Sequence, residues 1–270
     1  SADMHNTDKV VILIEEIRTM KLRLDAPDVN ASEFKFTVND EGRIIYGLGA
    51  IKGVGEGPVE AITEARQHGP FTDLFDFCAR VDLKRINKRT LDGLIRSGAL
   101  DRLGPFFHDE PKAWQASIDK NRAVLLAAME EAIKAAEQTA RTHDSGHADL
   151  FGGLFVEEDA DVYATHRKAK ELTLKERLKG EKDTLGLYLT GHPIDEYEGE
   201  IRRFARQRII DLKPARDTQT VAGMIIALRV MKNKKGDKMG FITLDDRSAR
   251  IEASLFAEAF HSAQSLLQTD

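Results

Sequence analysis

The feature that most restricts the fold is a change of period along the chain. Up to about Pro214, apolar residues recur at helical spacing. Beyond it come runs rich in β-branched and apolar residues at 221–230, 239–244 and 250–256, separated by a Lys-Asn-Lys-Lys-Gly-Asp-Lys stretch and by Asp-Asp-Arg-Ser. Such a chain is mainly α with a small β part, and a second domain begins near Thr218. In the helical part, Trp114, Ile118, Leu125, Met129, Ile133 and Ala136 recur close to a 3.6 period. A helix over 112–141 would run roughly 45 Å at about 1.5 Å per residue.

Shorter elements surround it. Residues 8–20 read as a helix with Thr7 as its cap. Residues 34–36 and 43–46 form a hairpin through Asn39-Asp40-Glu41-Gly42. A glycine-rich stretch, 47–57, feeds a helix over 58–67 with Pro58 at its first position. Between 71 and 103, short helices present Leu74, Phe75 and Cys78 on one face and Leu91, Leu94 and Ile95 on another, ending at Gly98 and Gly104. Residues 143–161 lack helical period and read as an exposed loop, helices return over 172–189 and 194–204, and a helix-like tail covers 257–267. Three strands make a poor closed sheet, so the sequence reads as cut from something longer.

Composition narrows the function classes. The 270 residues carry a formal charge of −5, so any nucleic-acid binding has to come from local patches. The longest aliphatic run, 10–14, is far short of the ~20 residues that span a bilayer. The start, Ser1-Ala2-Asp3-Met4, has no basic-then-apolar signal segment, and a single cysteine, Cys78, excludes an internal disulfide and suits a reducing cytosol. The 8 histidines have no zinc spacing, and no phosphate-loop lysine or nucleophile elbow occurs. Asp245 and Asp246 would point to opposite faces of a strand, which favours a turn role over metal binding. No catalytic constellation is present.

Three segments are candidates for binding. Around Lys52-Gly53-Val54-Gly55-Glu56-Gly57-Pro58, an apolar turn of helix meets a Gly-hydrophobe-Gly turn and then a second helix, the helix-hairpin-helix pattern. Glycines let a phosphate approach the backbone, the amides opening the second helix donate to it, and Lys52 adds charge. Val59 stands where the motif usually has alanine, and Glu56 and Glu60 oppose a phosphate; an ordinary glycine turn is the other reading. Arg229, Lys232, Lys234, Lys235 and Lys238 form a lysine-rich turn between strands, suited to tracking a single strand or to a solvated hairpin tip. His147-Ala148-Asp149-Leu150-Phe151 places a Leu-Phe pair on a glycine-bounded loop, which either folds back or anchors a partner.

Taken in order, the chain resembles one family, the alpha (polymerase) subunit of bacterial replicative DNA polymerase III, a C-family DNA polymerase. The resemblance rests on Ala2-Asp3-Met4, on the run from Tyr46 to Pro58, on Ser97-Gly98-Ala99-Leu100-Asp101, on the run from Thr184 to Pro193, and on Leu244-Asp245-Asp246-Arg247-Ser248. It implies a C-terminal portion of that subunit. Residues 1–33 would be the end of the fingers, 34–215 a helix-hairpin-helix and clamp-binding domain, and 216–270 the incomplete N-terminal part of an OB-fold. In that family the hairpin holds primer–template duplex, which carries over to Lys52, Gly53, Val54, Gly55 and Gly57. The OB domain is associated with single-stranded template, which suits Arg229, Lys232, Lys234, Lys235 and Lys238.

The internal motif for the beta sliding clamp matches 147–151, with Leu150 and Phe151 entering the clamp's apolar pocket and His147 where the family has glutamine. The palm aspartates that bind Mg2+ and the PHP domain lie upstream of Ser1, so the resemblance implies no cofactor and no catalysis in this segment, other holoenzyme subunits as further partners, no membrane, and a bacterial cytoplasmic location. The alternative is a non-catalytic helical interaction scaffold without direct DNA contact. A repair nuclease or ligase fails for want of catalytic carboxylates or a nucleophilic lysine motif.

Overall fold

The computed structural model describes residues 7–144, 161–205 and 207–268, and the statements below concern these residues. The chain divides into two compact units, Ser1–Thr190 and Gly191–Asp270. Residues 191–215 therefore group with the strands that follow them, ahead of the division expected at 215.

The first unit is helical. The helices are α1 (Thr7–Thr19), α2 (Glu56–Arg66), α3 (Leu74–Arg80), α4 (Lys88–Ser97), α5 (Pro111–Asp144) and α6 (Leu174–Leu185). A small sheet of β1 (Leu24–Asp25), β2 (Thr37–Val38) and β3 (Ile44–Ile45) runs in the order β1-β3-β2, with β1 parallel and β2 antiparallel to β3. The expected hairpin is present, but its first strand sits at 37–38, not 34–36, and β1 was not foreseen. Its turn is organised by Asn39, whose Oδ1 accepts the N–H groups of Glu41 and Arg43 at 3.1 and 2.9 Å.

The long helix exceeds expectation, extending over 34 residues and packing along α3 and α4. Its apolar stripe enters a continuous core with Leu74, Phe77, Leu91, Leu94 and Ile62. Cys78 lies in that core, and burial, helped by the charge of Asp73, pushes its thiol up to about 12, which makes it a packing residue. Gly98 ends α4 at φ 88°, the left-handed conformation that a β-carbon disfavours. Gly104 instead closes its 3₁₀ turn in an extended conformation, where a β-carbon would lie 2.3 Å from Asn121 Oδ1.

A buried ion cluster ties these helices together. Arg122 of α5 donates through Nε and Nη2 to Asp101 and through Nη1 to Glu181 of α6, each at 2.8 Å. Burial works against the guanidinium, but the carboxylates of Asp101 and Glu181 hold it firmly charged. Glu181 also accepts the N–H groups of Leu189 and Thr190 at 2.7 and 3.0 Å. That anchoring explains why α6, expected to reach 189, stops at Gly186 (φ 78°): the next residues turn back onto Glu181.

The second unit holds α7 (Glu198–Phe204), β4 (Met224–Lys232), β5 (Lys238–Asp245), β6 (Arg250–Leu255) and α8 (Ala257–Ala263). The strands form an antiparallel sheet in sequence order. One face, carrying Gly240 and Ile242, turns toward α8: a β-carbon on Gly240 would lie 2.6 Å from the buried Phe260 ring. Asp245 and Asp246 serve the β5–β6 turn, as their adjacency predicts. Asp245 accepts from Arg250 Nε and the Arg247 N–H at 2.8 Å each, and Asp246 accepts from the N–H of Ser248 at 2.9 Å. Burial pushes the Asp245 carboxyl up, but hydrogen bonds from His192, Arg250 and the Arg247 amide overcome it and hold it well below the usual carboxylate range.

Candidate nucleic-acid interface

The glycine turn is built from the core outward. A 3₁₀ turn over Leu48–Ala50 buries Leu48 and Ala50, and Ile51 and Val54 are buried on either side of the exposed Lys52 and Gly53. The apolar helix expected before the turn is thus a single 3₁₀ turn. The Val54 N–H closes onto the Ile51 carbonyl at 3.0 Å, with Gly53 at φ 81° in the third position, where the turn requires glycine. The Lys52 N–H donates to Thr184 O of α6 at 2.8 Å, so α6 supports the turn from beneath.

Beyond the turn, Gly55 caps α2 without a side chain, leaving the first-turn amides of Glu56 and Gly57 with no side-chain cap. A β-carbon at Gly53 or Gly55 would meet nothing within 4 Å, so the turn is open beside these two glycines. Pro58 is the third residue of α2, not the first. The whole first turn lacks internal acceptors, so proline is tolerated there as well. The arrangement is an uncapped helix N-terminus with room for an oxyanion, the geometry that binds phosphates.

The tertiary structure adds residues that motif reading missed. Lys84 and Arg85 precede α4, Lys88 and Arg89 open it, and α4 packs beside the glycine turn: Thr90 Oγ1 donates to Gly53 O at 3.5 Å. Arg85 binds Glu60, and Glu64 at 3.0 Å, so a carboxylate expected to oppose phosphate is already paired. Lys84 and Arg89 remain exposed. The clustering of four bases within six residues was the available signal.

In the second unit, the lysine turn is a tight loop between β4 and β5. Asn233 Oδ1 accepts the N–H groups of Lys235 and Asp237 at 2.8 and 2.9 Å, and Gly236 takes φ 90°. Lys232 and Lys238 are directly opposite in the register. Like charges so placed repel, and a polyanion relieves that repulsion. No aromatic lies between the lysines in sequence, yet pairing sets Arg229 opposite Phe241, with the guanidinium 5.0 Å from the ring centroid. This is a stacked pair on the sheet face away from α8. The signal was invisible along the chain because these two residues lie on different strands. His147, Ala148, Asp149, Leu150 and Phe151 lie outside the described residues.

The Mg2+ that the family resemblance brings with it finds no fit here. Among the described residues no three His, Cys, Asp or Glu side chains gather as metal ligands, and the carboxylates of Asp245 and Asp246 are committed to their turn. No described helix is long and apolar enough to cross a membrane.

An uncapped glycine-lined helix N-terminus lies in one unit and a lysine-edged antiparallel sheet in the other, features chemically suited to a nucleic-acid backbone. Residues 21–106 match the helix-hairpin-helix motif family, and residues 219–270 match the OB-fold nucleic acid binding domain family. Over its whole length the chain is 94% identical to DNA polymerase III subunit alpha of Pseudomonas fluorescens, 82% to that of Pseudomonas aeruginosa and 46% to that of Escherichia coli K12. It belongs to the family of bacterial DNA polymerase III alpha subunits, and it spans 22–23% of the length of these curated relatives.

Proposed function

We propose that this chain is the part of a replicative DNA polymerase alpha subunit that holds primer–template DNA by its backbone and tethers the sliding clamp. The observation that carries the reading is the open N-terminus of α2, with Gly53 and Gly55 exposed, Lys52 in the turn, and the exposed Lys84 and Arg89 on the segment whose Thr90 reaches Gly53. Amides and lysines of this kind hold the sugar–phosphate backbone without reading bases. The single-strand role falls to Arg229, Lys232, Lys234, Lys235 and Lys238, around the stacked Arg229–Phe241 pair. Clamp tethering rests on the sequence of 147–151 alone, with Leu150 and Phe151 as the anchor.

Phosphoryl transfer belongs to the remainder of the longer protein. Its Mg2+ ions are assigned there too, along with contacts to other holoenzyme subunits, in a bacterial cytoplasm. The segment itself needs no cofactor to perform the roles given to it.

Duplex titration at rising salt tests the DNA arm. Affinity should fall steeply, with a slope near −0.9 per neutralised phosphate, and with little base preference. Salt-independent binding refutes it, and failure to retard duplex at low salt favours a protein-interaction scaffold. For the clamp arm, the Leu150→Ala/Phe151→Ala double change should cost at least ~2 kcal/mol of clamp affinity; undiminished affinity moves the anchor elsewhere. Nucleotide, magnesium and primed template should give no extension with this chain alone.

A further inference from the structure

The segment between the two family matches helps to form an unclaimed surface. In the second unit, α7 and the residues opening β4 enclose an open groove of about 270 Å³, lined by Tyr197, Glu200, Ile201, Phe204, Gly223 and Met224. Tyr197, at the cap of α7, and Ile201 and Phe204 within it recur at helical spacing, so two aromatics reach the groove from one side. Phe204 is 76% exposed and Tyr197 48%. An aromatic ring so displayed is costly in water and gains from a flat apolar partner.

Charge indicates which partner. Between Arg202 and Arg216 the chain has six cationic residues and one acid, Asp211. Arg202 pairs with Glu198 and Arg208 with Asp211, both at exposed positions where ion pairs exchange readily. Arg203 is exposed and makes no ion pair among the described residues. The acids Glu196, Glu198 and Glu200 cluster ahead of Ile201, so the surface is polarised along α7. A polyanion is drawn to the arginine end and repelled from the other. The Glu200 carboxylate on the groove wall is an acceptor that suits the N–H groups of a nucleobase and opposes a phosphate.

We propose that this groove takes one unstacked base of a single-stranded nucleic acid, held against Phe204 and Tyr197, while Arg203 and Arg208 engage the adjoining phosphates. The proposal rests on the reading of the chain as a DNA-holding segment and adds a second single-strand contact, whose aromatic wall lies ahead of the matched region at 219–270. An exposed aromatic flanked by arginines, as Phe204 is, suits a sequence-tolerant stacking platform.

The test uses the full chain with Arg229, Lys232, Lys234, Lys235 and Lys238 changed to alanine, so that neither the lysine turn nor the Arg229–Phe241 pair masks the groove. Anisotropy is measured with a labelled oligo(dT) and with an abasic oligomer of equal length and charge. The parent should prefer oligo(dT) by about fivefold or more, and Phe204→Ala should abolish that preference while leaving the abasic affinity unchanged. Phe204→Trp should retain the preference. Arg203→Ala/Arg208→Ala should weaken both oligomers and flatten the salt slope by about 0.7 for each phosphate no longer neutralised. Equal binding of both oligomers by the parent, or a Phe204→Ala effect shared equally between them, overturns the base site; so does a preference that survives Phe204→Ala or is lost in Phe204→Trp. Duplex titration, run in parallel, reports on the glycine turn and separates failure of the groove from failure of the proposed function.

Discussion

The glycine turn and the lysine turn offer charge to a phosphate chain in opposite ways. At Gly53 and Gly55 the donors are backbone amides, and the surroundings are held from below by Ile51, Val54 and the Lys52–Thr184 hydrogen bond. At 232–238 the donors are side-chain tips on a loop held only by Asn233 and its local hydrogen bonds. The first site depends on the core beneath it. The second depends on composition and should survive large changes elsewhere. Both sites should respond to salt, but the backbone site is also coupled to folding of the core beneath it.

The coupling of the glycine turn to the core can be broken at its centre. Arg122→Ala strands two buried carboxylates, Asp101 and Glu181, and should cost ~3–5 kcal/mol by urea unfolding. Because Glu181 and Thr184 share α6, duplex affinity should fall with it, while oligo(dT) binding at the lysine turn persists in whatever remains folded. Parallel loss of both activities would show that the two sites are not separable.

A smaller and more local change is Gly53→Val. It forces a β-branched residue to φ 81°, at a strain of ~1–2 kcal/mol, and moves the turn from its amides. Duplex affinity should drop about tenfold, equivalent to ~1.4 kcal/mol, with the salt slope retained because no cation is removed. Unchanged affinity would remove the turn from the interface.

Acid tests the second unit. The Asp245 carboxyl ionises well below an unfolded aspartate at ~3.9, so its contribution is complete above about pH 4. It is lost as pH falls through the folded value. The melting temperature should decline over that window, and Asp245→Asn should be less stable at pH 7 and flatter in acid. A variant with the wild-type pH profile would show that the β5–β6 turn does not depend on this charge.

The least disruptive change should be replacement of Lys232, Lys234, Lys235 and Lys238 by alanine. All four are exposed, so the melting temperature should not move. The salt slope for single-stranded DNA should shrink by about 0.7 for each lysine that had neutralised a phosphate. An unchanged slope would leave these lysines as a solvated tip.

Local chemistry was legible where one residue decides a conformation. Asn39 and Gly42 placed a hairpin, Gly98 a helix end, and Asn233 and Gly236 a tight turn, because the relevant hydrogen bonds and dihedrals span only a few residues. Boundaries slipped where distant groups compete. The helix expected to 189 ends at 185 because Glu181 captures the amides of Leu189 and Thr190, and β1 forms only because β3 is there to pair with it.

By itself the sequence determined the order of helical and β parts, the glycine turn, the lysine cluster and the apolar stripe of α5, since each depends on periodicity or on the chemistry of adjacent residues. Tertiary structure decided the rest. It paired Arg85 with Glu60 and Glu64, stacked Arg229 on Phe241 across two strands, and set α6 beneath Lys52. The reason is that electrostatics and stacking act over a few ångströms of space, and only folding brings residues that are distant in sequence within that range.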